Sequence, residues 1–335
     1  MIVAGIDEAG YGPLLGPLVV GCAAFELLET SDFSFPTAAS DDPCDLPLPC
    51  VWTRLRKLVS RQRSKTGRKL HVNDSKLVYS PSAGIKELER SVLSFAIAAG
   101  PVEHSSDSFF NWVASGLAAE MQDCPWYQDC DGQLFPLSQE IMPIQLFANA
   151  LRLEMQQCGA RCVHLAGRVV LEQPLNKMFG QTHNKSNTLF SIAAQHLDYL
   201  LRTFGHQDLV IFCDRQGGRS HYGSLLRLMF QDWSLEILRE SDGRSDYRMI
   251  RNGHRVRIVF CEKAEAQCLS VALASMLSKY LRELLMHRFN LYWQRMLPGL
   301  TPTAGYYGDG SRFLADIDAL RRKMGIADHE LIRSR

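Results

Sequence analysis

The chain has 335 residues, 46% of them hydrophobic, which suffices for a sizeable core and excludes a protein that is disordered throughout. Its 37 basic and 36 acidic residues give a formal net charge of +1, so overall charge neither favours nor excludes a nucleic-acid partner. The longest apolar stretches, such as Leu14–Phe25, are shorter than the roughly 20 residues of a membrane helix, and no basic segment precedes an apolar one at the N-terminus. We therefore expect a cytoplasmic protein with no membrane partner.

The ten cysteines are expected to be reduced thiols. Cys158 and Cys162 are separated by three residues and have no CxxC partner, so their spacing gives little support for a zinc site.

Two apolar runs at the start of the chain predict a hairpin. Ile2–Ile6 is typical of a strand and leads directly into Asp7 and Glu8, and Leu18–Phe25 follows after a loop rich in glycine and proline. The acidic pair is therefore expected at a strand end.

The next segment predicts an insertion, a helix and a third strand. Ser31–Pro49 mixes Ser, Asp and Pro with little periodicity, which favours a surface insertion or a poorly ordered loop. Pro81–Leu93 has helical spacing, with Ser80 as a candidate N-cap, and Ser94–Ala99 is typical of a strand.

The middle of the chain predicts an elaboration followed by a helix and a strand. The long stretch before residue 184 includes one strand candidate, Cys162–Leu171. Ser186–Phe204 has helical spacing and ends before Gly205, and Leu209–Cys213 is a buried-type strand that ends at Asp214. A helix followed by a strand that ends in a carboxylate indicates an α/β domain with its site at the carboxyl ends of strands.

The remaining part predicts strands and then a long helix. Leu235–Leu238 is a short strand candidate, and Tyr247–Arg251 and Arg255–Phe260 flank Asn252-Gly253, a strong hairpin turn. The stretch from Ala264 to about Trp293 is rich in Ala and Leu and predicts a helix.

The predicted hairpin has one basic and one apolar face. Pairing through a two-residue loop sets Arg248 opposite Arg257 and Ile250 opposite Arg255. A solvated sheet face and a ribbon that follows phosphates are equally compatible with this pattern. A separate run of basic residues within 61–69 is more typical of a solvated loop than of a nucleic-acid contact.

The adjacent carboxylates at Asp7 and Glu8 are suited to hard divalent cations, because Mg²⁺ prefers oxygen ligands. An acidic pair at a turn would be unremarkable alone, but here the glycines of GIDEAGYGPLLGP allow the backbone to approach a ligand and offer its amides to phosphate.

Several motifs resemble those of type 2 ribonucleases H, and they follow that family's order. GIDEAGYGPLLGPLVVG at residues 5–21 is similar to GxDEAGRGPxxGPVV, and NDSKL at residues 73–77 is similar to NDSKKL. VIFCDRQGG places Asp214 on a strand-terminal Asp of the family. KAE at residues 263–265 falls where the family has KGD, and ASMLSKYLREL resembles ASIxAKxxRD, which places Glu283 on the last carboxylate.

The resemblance implies a ribonuclease H-like α/β domain over residues 1–335. The expected sheet is mixed, with three antiparallel strands at the start, a parallel continuation that ends at Asp214, and helices on both faces. Insertions are expected at about residues 31–72 and 105–183, which have no recognised counterpart in the family.

The resemblance also implies a site and a reaction. Two divalent ions, Mg²⁺ or Mn²⁺, would be held by the catalytic carboxylates Asp7, Glu8, Asp214 and Glu283, and would support hydrolysis of the RNA strand of RNA/DNA hybrids, or cleavage of DNA with embedded ribonucleotides. The substrate-binding residues implied are Gly10, Tyr11, Gly12, Ser75, Lys76, Lys279 and Tyr306.

Physical spacing supports part of this site independently. Ser275, Lys279 and Glu283 are four residues apart, so they form one polar stripe on an otherwise apolar helix. The alternative is a solvated stripe, but Lys on the N-terminal side of Glu is the weaker orientation for helix stability.

Two departures from the family matter. Tyr11 stands where the family has Arg and cannot supply a guanidinium fork to a phosphate, and Glu283 as the last carboxylate resembles the related type 3 enzymes. Two alternatives therefore stay open: a nucleic-acid-binding module of this fold without turnover, and a nuclease of this fold with another substrate. The oligomeric state is not predicted.

Overall fold

The computed structural model describes residues 1–31, 50–102, 105–128 and 135–334. Its strands are β1 (Ile2–Ala9), β2 (Leu18–Leu27), β3 (Val59–Ser60), β4 (Leu70–His71), β5 (Ala160–Val170), β6 (Leu209–Asp214), β7 (Ser234–Ser241), β8 (Arg244–Arg251) and β9 (His254–Cys261). Its α-helices are α1 (Val51–Arg54), α2 (Ser75–Val78), α3 (Lys86–Ala99), α4 (Ser106–Val113), α5 (Leu117–Glu120), α6 (Ile141–Gln157), α7 (Glu172–Thr182), α8 (Lys185–Phe204), α9 (Gly223–Met229), α10 (Ala264–Gln267), α11 (Leu269–Met296), α12 (Tyr307–Lys323) and α13 (Asp328–Leu331). Two 3-10 turns lie at Met121–Asp123 and Pro125–Tyr127.

Within the described residues, seven strands form the central sheet in the order β5-β2-β1-β6-β9-β8-β7. The pairs β1–β2 and β2–β5 are antiparallel, whereas β1–β6 and β6–β9 are parallel. The sheet is therefore mixed, with three antiparallel strands at one side and a parallel continuation through β6. The predicted α/β class with a mixed central sheet is confirmed.

Helices cover both faces of this sheet. Residues of α11 pack with Val3 and Val19 on one face, and residues of α8 pack with Ile6 and Cys22 on the other. Alternate residues of a strand point to opposite faces, so each half of the core takes every second side chain of β1 and β2.

Two motif glycines let α11 approach the sheet. A Cβ on Gly5 would lie 2.1 Å from the backbone nitrogen of Val271, and one on Gly21 would lie 2.4 Å from the carbonyl oxygen of Ala274. These distances are too short for any side chain, so glycine at both positions brings the helix against the ends of β1 and β2.

The third antiparallel strand is not the one that the sequence predicted. Ser94–Ala99 continues helix α3, and the strand paired with β2 is β5, which contains the other candidate, Cys162–Leu171. The expectation for Ser94–Ala99 was wrong because a short run of small and apolar residues fits either a buried helix or a strand. The run continues the helical spacing of the residues before it, and Leu88–Ala96 is buried throughout.

Helix α3 also begins later than predicted. Pro81–Gly84 forms a turn in which the Ser80 hydroxyl accepts a hydrogen bond from the Ala83 amide at 3.1 Å. Gly84 has a φ of 69°, a left-handed conformation that ends the turn before Lys86 starts the helix. Ser80 therefore caps a turn and not a helix.

The other predicted elements are present with small shifts. The predicted helix from Ala264 is divided into α10 and α11 at Cys268, whose backbone is extended. Asn252 and Gly253 have φ values of 51° and 80°, as a two-residue hairpin turn requires, and the predicted register is confirmed.

The stretches expected as insertions pack on the same core where they are described. Most of Ser31–Pro49 lies outside the described residues. Val59, Phe109 and Leu151, from the two stretches at about residues 31–72 and 105–183, are buried in the hydrophobic cluster that includes α11. Among the described residues, no helix combines the length and apolar character needed to cross a membrane.

Candidate active site

Two adjoining cavities open where β1 and β6 end. Because these strands are parallel and Ile6 pairs with Cys213, the next residues along them, Asp7 and Asp214, are neighbours at the same edge of the sheet. The acidic cavity, of about 510 Å³, and the loop cavity, of about 520 Å³, share Glu8, Ser75 and Lys76 in their walls.

Five carboxylates from four regions of the chain line the acidic cavity. Asp7 and Glu8 come from β1, Asp214 from the end of β6, and Glu265 from α10. The fifth is Asp74, which caps α2. Backbone amides hold two of these side chains: the Asp7 carboxylate accepts from the Glu8 amide at 2.7 Å, and that of Asp214 accepts from the Ala264 amide at 3.3 Å.

Burial and mutual repulsion disfavour ionisation of these acids. The pKa of Asp7 is raised well above its ordinary value, first by burial and then by the charges of Glu8 and Asp214. Burial and Asp214 raise the pKa of Glu8 to about 8. Burial also raises the pKa values of Asp214 and Glu265. Full ionisation of the cluster would therefore create more negative charge than its surroundings neutralise.

The cavity fits a divalent cation. The Glu8 Oε2 atom is buried and has no hydrogen-bond partner among the described residues, which is costly for a carboxylate oxygen. A cation among Asp7, Glu8, Asp214 and Glu265 would satisfy that oxygen and relieve the repulsion that raises their pKa values. An all-oxygen set of this kind suits Mg²⁺ or Mn²⁺.

The position of Glu283 does not agree with its predicted place in the carboxylate group. Its carboxylate accepts from the Tyr79 hydroxyl at 2.9 Å and from the Lys279 ammonium at 2.6 Å, and it is not among the residues that line the acidic cavity. Both of its partners line the loop cavity instead. Ser275 lines the acidic cavity, and Glu283 lies two helical turns further along α11, which carries it past the acidic cavity.

Glu265 is the carboxylate that the sequence reasoning missed. It is the last residue of the KAE segment, whose place in the family pattern was noted without a role being given to the acid. Its position depends on the fold: α10 follows the end of β9 and brings Glu265 near enough to Asp214 that, besides burial, the Asp214 charge raises the pKa of Glu265.

The loop cavity collects all seven residues predicted to bind substrate. They are Gly10, Tyr11, Gly12, Ser75, Lys76, Lys279 and Tyr306. The polar stripe of α11 faces these two cavities and not open solvent, since Ser275 is buried against Ser75, with their hydroxyl oxygens 3.1 Å apart, and Lys279 is bonded to Glu283.

Backbone geometry fixes the glycine loop beside this cavity. Gly10 has a φ of 87°, and a Cβ there would lie 2.5 Å from the carbonyl oxygen of Pro17 and 2.9 Å from the Arg282 side chain. Arg333, which is almost fully buried, donates to the carbonyl oxygens of Gly10 and Tyr11. The end of the described chain therefore buttresses the loop near its beginning.

The Gly305-Tyr306 pair is attached to the same loop. The amides of Leu14 and Leu15 both donate to the Gly305 carbonyl, at 2.8 and 3.1 Å. Tyr306 is 52% exposed, and the Arg282 guanidinium lies 5.6 Å from the centre of its ring. An exposed ring thus stands at the rim of the cavity on a rigid support.

The two basic features noted in the sequence are largely paired within the protein. On the hairpin, Arg248 bonds to Glu236 at 2.8 Å and Arg257 bonds to the buried Asp246 at 2.6 Å. In the basic run, Lys69 donates to the Arg56 carbonyl and Arg61 packs over Trp52. These contacts favour a structural surface over a phosphate-binding one in both places.

No family model matches the chain, and no curated protein matches it. Solved structures do. The ribonuclease HII of Archaeoglobus fulgidus, in a complex with PCNA, is 15% identical, with 100% of this chain and 95% of that chain covered and a TM-score of 0.42. The ribonuclease H2 of Pyrococcus horikoshii is 15% identical, with 99% and 92% covered and a TM-score of 0.42. Bst-RNase HIII in complex with Mn²⁺ is 15% identical, with 99% and 66% covered and a TM-score of 0.42.

The chain is similar to ribonucleases HII and HIII. These are the two classes that its motifs resemble.

Proposed function

We propose that this chain is a metal-dependent endoribonuclease of the ribonuclease H type, which hydrolyses the RNA strand of RNA/DNA hybrids. The observation that carries the proposal is the group of carboxylates around the acidic cavity, directly beside a cavity walled by the glycine loop. A binding module without turnover would have no use for four acids whose pKa values are all raised by burial in one place.

In this proposal Asp7, Glu8, Asp214 and Glu265 hold the divalent ions. When bound, a pair of such ions supplies a water-derived nucleophile and stabilises the departing 3′ oxygen. The carboxylates then act as ligands in their ionised form, because the cations offset the desolvation that keeps Asp7 and Glu8 protonated. Glu283 has a supporting role in this scheme: it holds Lys279 and Tyr79 in the wall of the loop cavity.

The loop cavity would receive the ribose and phosphate next to the cleaved bond. The residues from Gly10 to Gly12 present backbone groups to the ribose, whose 2′-hydroxyl distinguishes RNA from DNA. Tyr306 offers an exposed ring on which a sugar or base can pack. Lys76 is exposed, lines both cavities and brings positive charge to a phosphate that lies between them.

Cleavage of matched duplexes tests the proposal. Three substrates carry four ribonucleotides, one ribonucleotide or none in one strand, and each is incubated with the full chain in Mg²⁺, in Mn²⁺ and with a chelator. We expect metal-dependent cuts at ribonucleotides in the first two substrates and none in the third.

Asp7→Asn and Asp214→Asn are the matched control variants, because each removes a charge and keeps the shape of the side chain. Both should lose turnover while still binding the hybrid. Hybrid binding by the unaltered chain with no cleavage in either metal would support the binding-module alternative. Cleavage of the all-DNA duplex, or of single-stranded RNA in preference to the hybrid, would identify another substrate.

A further inference from the structure

A second group of potential metal ligands lies on the opposite face of the sheet from the carboxylates. It consists of Cys22 on β2, His164 on β5 and His196 on α8. Cys22 pairs with Ile6 whereas Asp7 pairs with Gly21, so Cys22 and Asp7 point to opposite faces of the sheet. The group is therefore separate from the acidic cavity.

The three side chains converge closely. Each offers one ligand atom, and these atoms all lie within 4.8 Å of one another. Cys22 is fully buried and His196 is 4% exposed. The register of β2 and β5 shifts between Ala24 and Phe25, so that Ala24 pairs with His164 and Phe25 with Cys162. Between Cys22 and Ala24 the pairing is regular, with Cys22 opposite Ala166 and Ala24 opposite His164, so His164 lies on the same face as Cys22.

Hydrogen bonding prepares the His196 imidazole to act as a ligand. The Nε2 atom of His196 lies 2.9 Å from the carbonyl oxygen of Val20, which can only accept, so Nε2 carries the proton and Nδ1 of the neutral ring keeps its lone pair. A backbone carbonyl in this role is the usual outer partner of a metal-bound histidine.

The second histidine of the group, His164, has one ring nitrogen that makes no hydrogen bond to the described residues. Its Nε2 is buried and has no hydrogen-bond partner among the described residues. The ring is held in place by stacking on Tyr199, with centroids 4.2 Å apart. A buried ring nitrogen that is oriented but unpaired costs free energy unless a ligand satisfies it.

A cavity gives access to the group from outside. It has a volume of about 450 Å³ and is lined by both histidines together with Trp112, Gly167, Arg168 and Tyr199. A water molecule or an anion could therefore reach an ion held by the three residues.

We propose that Cys22, His164 and His196 bind a single Zn²⁺ ion, with a fourth position open to this cavity. One thiolate and two imidazoles form a ligand set that favours zinc and other borderline or soft ions over Mg²⁺. On binding, the Cys22 thiol gives up its proton to solvent and its sulfur forms the bond to the ion, so one proton is released for each Zn²⁺ bound. The ion would clamp β2, β5 and α8 together behind the strand that carries Asp7 and Glu8.

Metal binding to the full chain tests this site without reference to activity. The protein is first freed of metal with a chelator and then titrated with Co²⁺, whose bond to a thiolate gives a charge-transfer absorption, and with Zn²⁺ as competitor. We expect one Co²⁺ per chain with this absorption, full displacement by Zn²⁺, and no displacement by excess Mg²⁺.

Two variants and two controls complete the experiment. His164→Phe keeps the stacking on Tyr199 and removes the ligand, and Cys22→Ala removes the sulfur; each should weaken Zn²⁺ binding by more than about 100-fold, beyond the loss expected for an outer partner. Cys158→Ser, another buried thiol, and Asp214→Asn, in the acidic cavity, should leave it unchanged. Absence of the charge-transfer band in the unaltered chain, or its persistence in Cys22→Ala, would overturn the proposal. Because no substrate is involved, the result is independent of whether the chain is a nuclease.

Discussion

Two glutamates near the proposed active site differ in what surrounds them. Glu265 lies in the acidic cavity, where burial, Asp214 and Asp74 raise its pKa, whereas Glu283 is neutralised by Lys279 at 2.6 Å. A cation in the acidic cavity would therefore stabilise the ionised form of Glu265, whereas the charge of Glu283 is already balanced by the Lys279 ammonium.

We predict that Glu265→Gln lowers cleavage of an RNA/DNA hybrid by about 100-fold or more, because loss of a metal ligand removes several kcal/mol of transition-state stabilisation and each 1.4 kcal/mol is roughly tenfold. It should also raise the Mg²⁺ concentration needed for half-maximal rate. Glu283→Gln is the matched control and should keep most of the rate and the same Mg²⁺ dependence. A larger loss of cleavage rate in Glu283→Gln than in Glu265→Gln would instead identify Glu283 as the fourth metal ligand.

The residue at position 11 is expected to affect which ribonucleotide-containing duplexes are cleaved faster. Tyr11 lines the loop cavity between two glycines and offers one donor and a ring, whereas a guanidinium would hold a phosphate at two points. We predict that the chain favours a four-ribonucleotide tract over a single embedded ribonucleotide, and that Tyr11→Arg reduces this preference. The ratio of the two cleavage rates measures it. An unchanged ratio in Tyr11→Arg, with Tyr11→Phe as the control, would remove position 11 from substrate selection.

At the scale of elements, the outer hairpin of the sheet depends on one buried carboxylate. Asp246 on β8 is fully buried and accepts hydrogen bonds from Arg257 on β9 and from Arg244. Glu236 on β7 makes a comparable bond to Arg248, but its side chain is 48% exposed. Both are pairs between an arginine and a carboxylate, but only the Asp246 carboxylate is fully buried.

We predict that Asp246→Ala lowers the free energy of unfolding by about 3 kcal/mol, because it removes the buried carboxylate that accepts hydrogen bonds from two partly buried guanidinium groups. Glu236→Ala should cost less than about 1 kcal/mol, since solvent screens an exposed pair. Denaturant unfolding of both variants measures the difference. Equal effects would mean that burial does not set the strength of these pairs.

For the whole molecule, the acidic cavity makes stability depend on pH and on metal. The pKa of Glu8 is raised from 4.5 to about 8, and that of Asp7 is also raised well above its ordinary value. An acid with a raised pKa binds its proton more tightly in the folded state, so stability falls as pH rises from its unfolded value to its folded value. His164 and His196, whose pKa values are lowered to about 4, act in the opposite sense, but only below their ordinary value of 6.5.

We therefore predict that the thermal midpoint of the metal-free chain falls between pH 6.5 and 8, by roughly 2–4 °C for each kcal/mol lost. Mg²⁺ should reduce this fall, because it binds the ionised carboxylates of the folded state. Asp7→Asn should have a higher midpoint than the unaltered chain at pH 8 without metal, whereas Asp198→Asn, at an exposed ion pair with Arg202, should not. A midpoint that is flat with pH in the metal-free chain would contradict the raised pKa values of Asp7 and Glu8.

The features that depend on short stretches of chain could be predicted from the sequence. The order of β1, β2, β6 and the hairpin at Asn252-Gly253 follows from local periodicity and turn chemistry, and Asp214 ends β6 as predicted. Strand β1 continues two residues beyond Asp7, because Glu8 and Ala9 still pair with β2. The glycine loop and the residues of the loop cavity were also identifiable, because they lie within compact motifs.

Which distant residues meet depends on tertiary packing. Glu265 on α10 lines the acidic cavity whereas Glu283, two turns beyond Ser275 on α11, does not, and Arg333 reaches Gly10 across a separation of 323 residues. Ser94–Ala99 is the last part of α3, and a run of six small and apolar residues does not by itself distinguish a helix from a strand. Cys22, His164 and His196 lie far apart along the chain with no motif spacing, and the pairing of β2 with β5 under α8 brings them together.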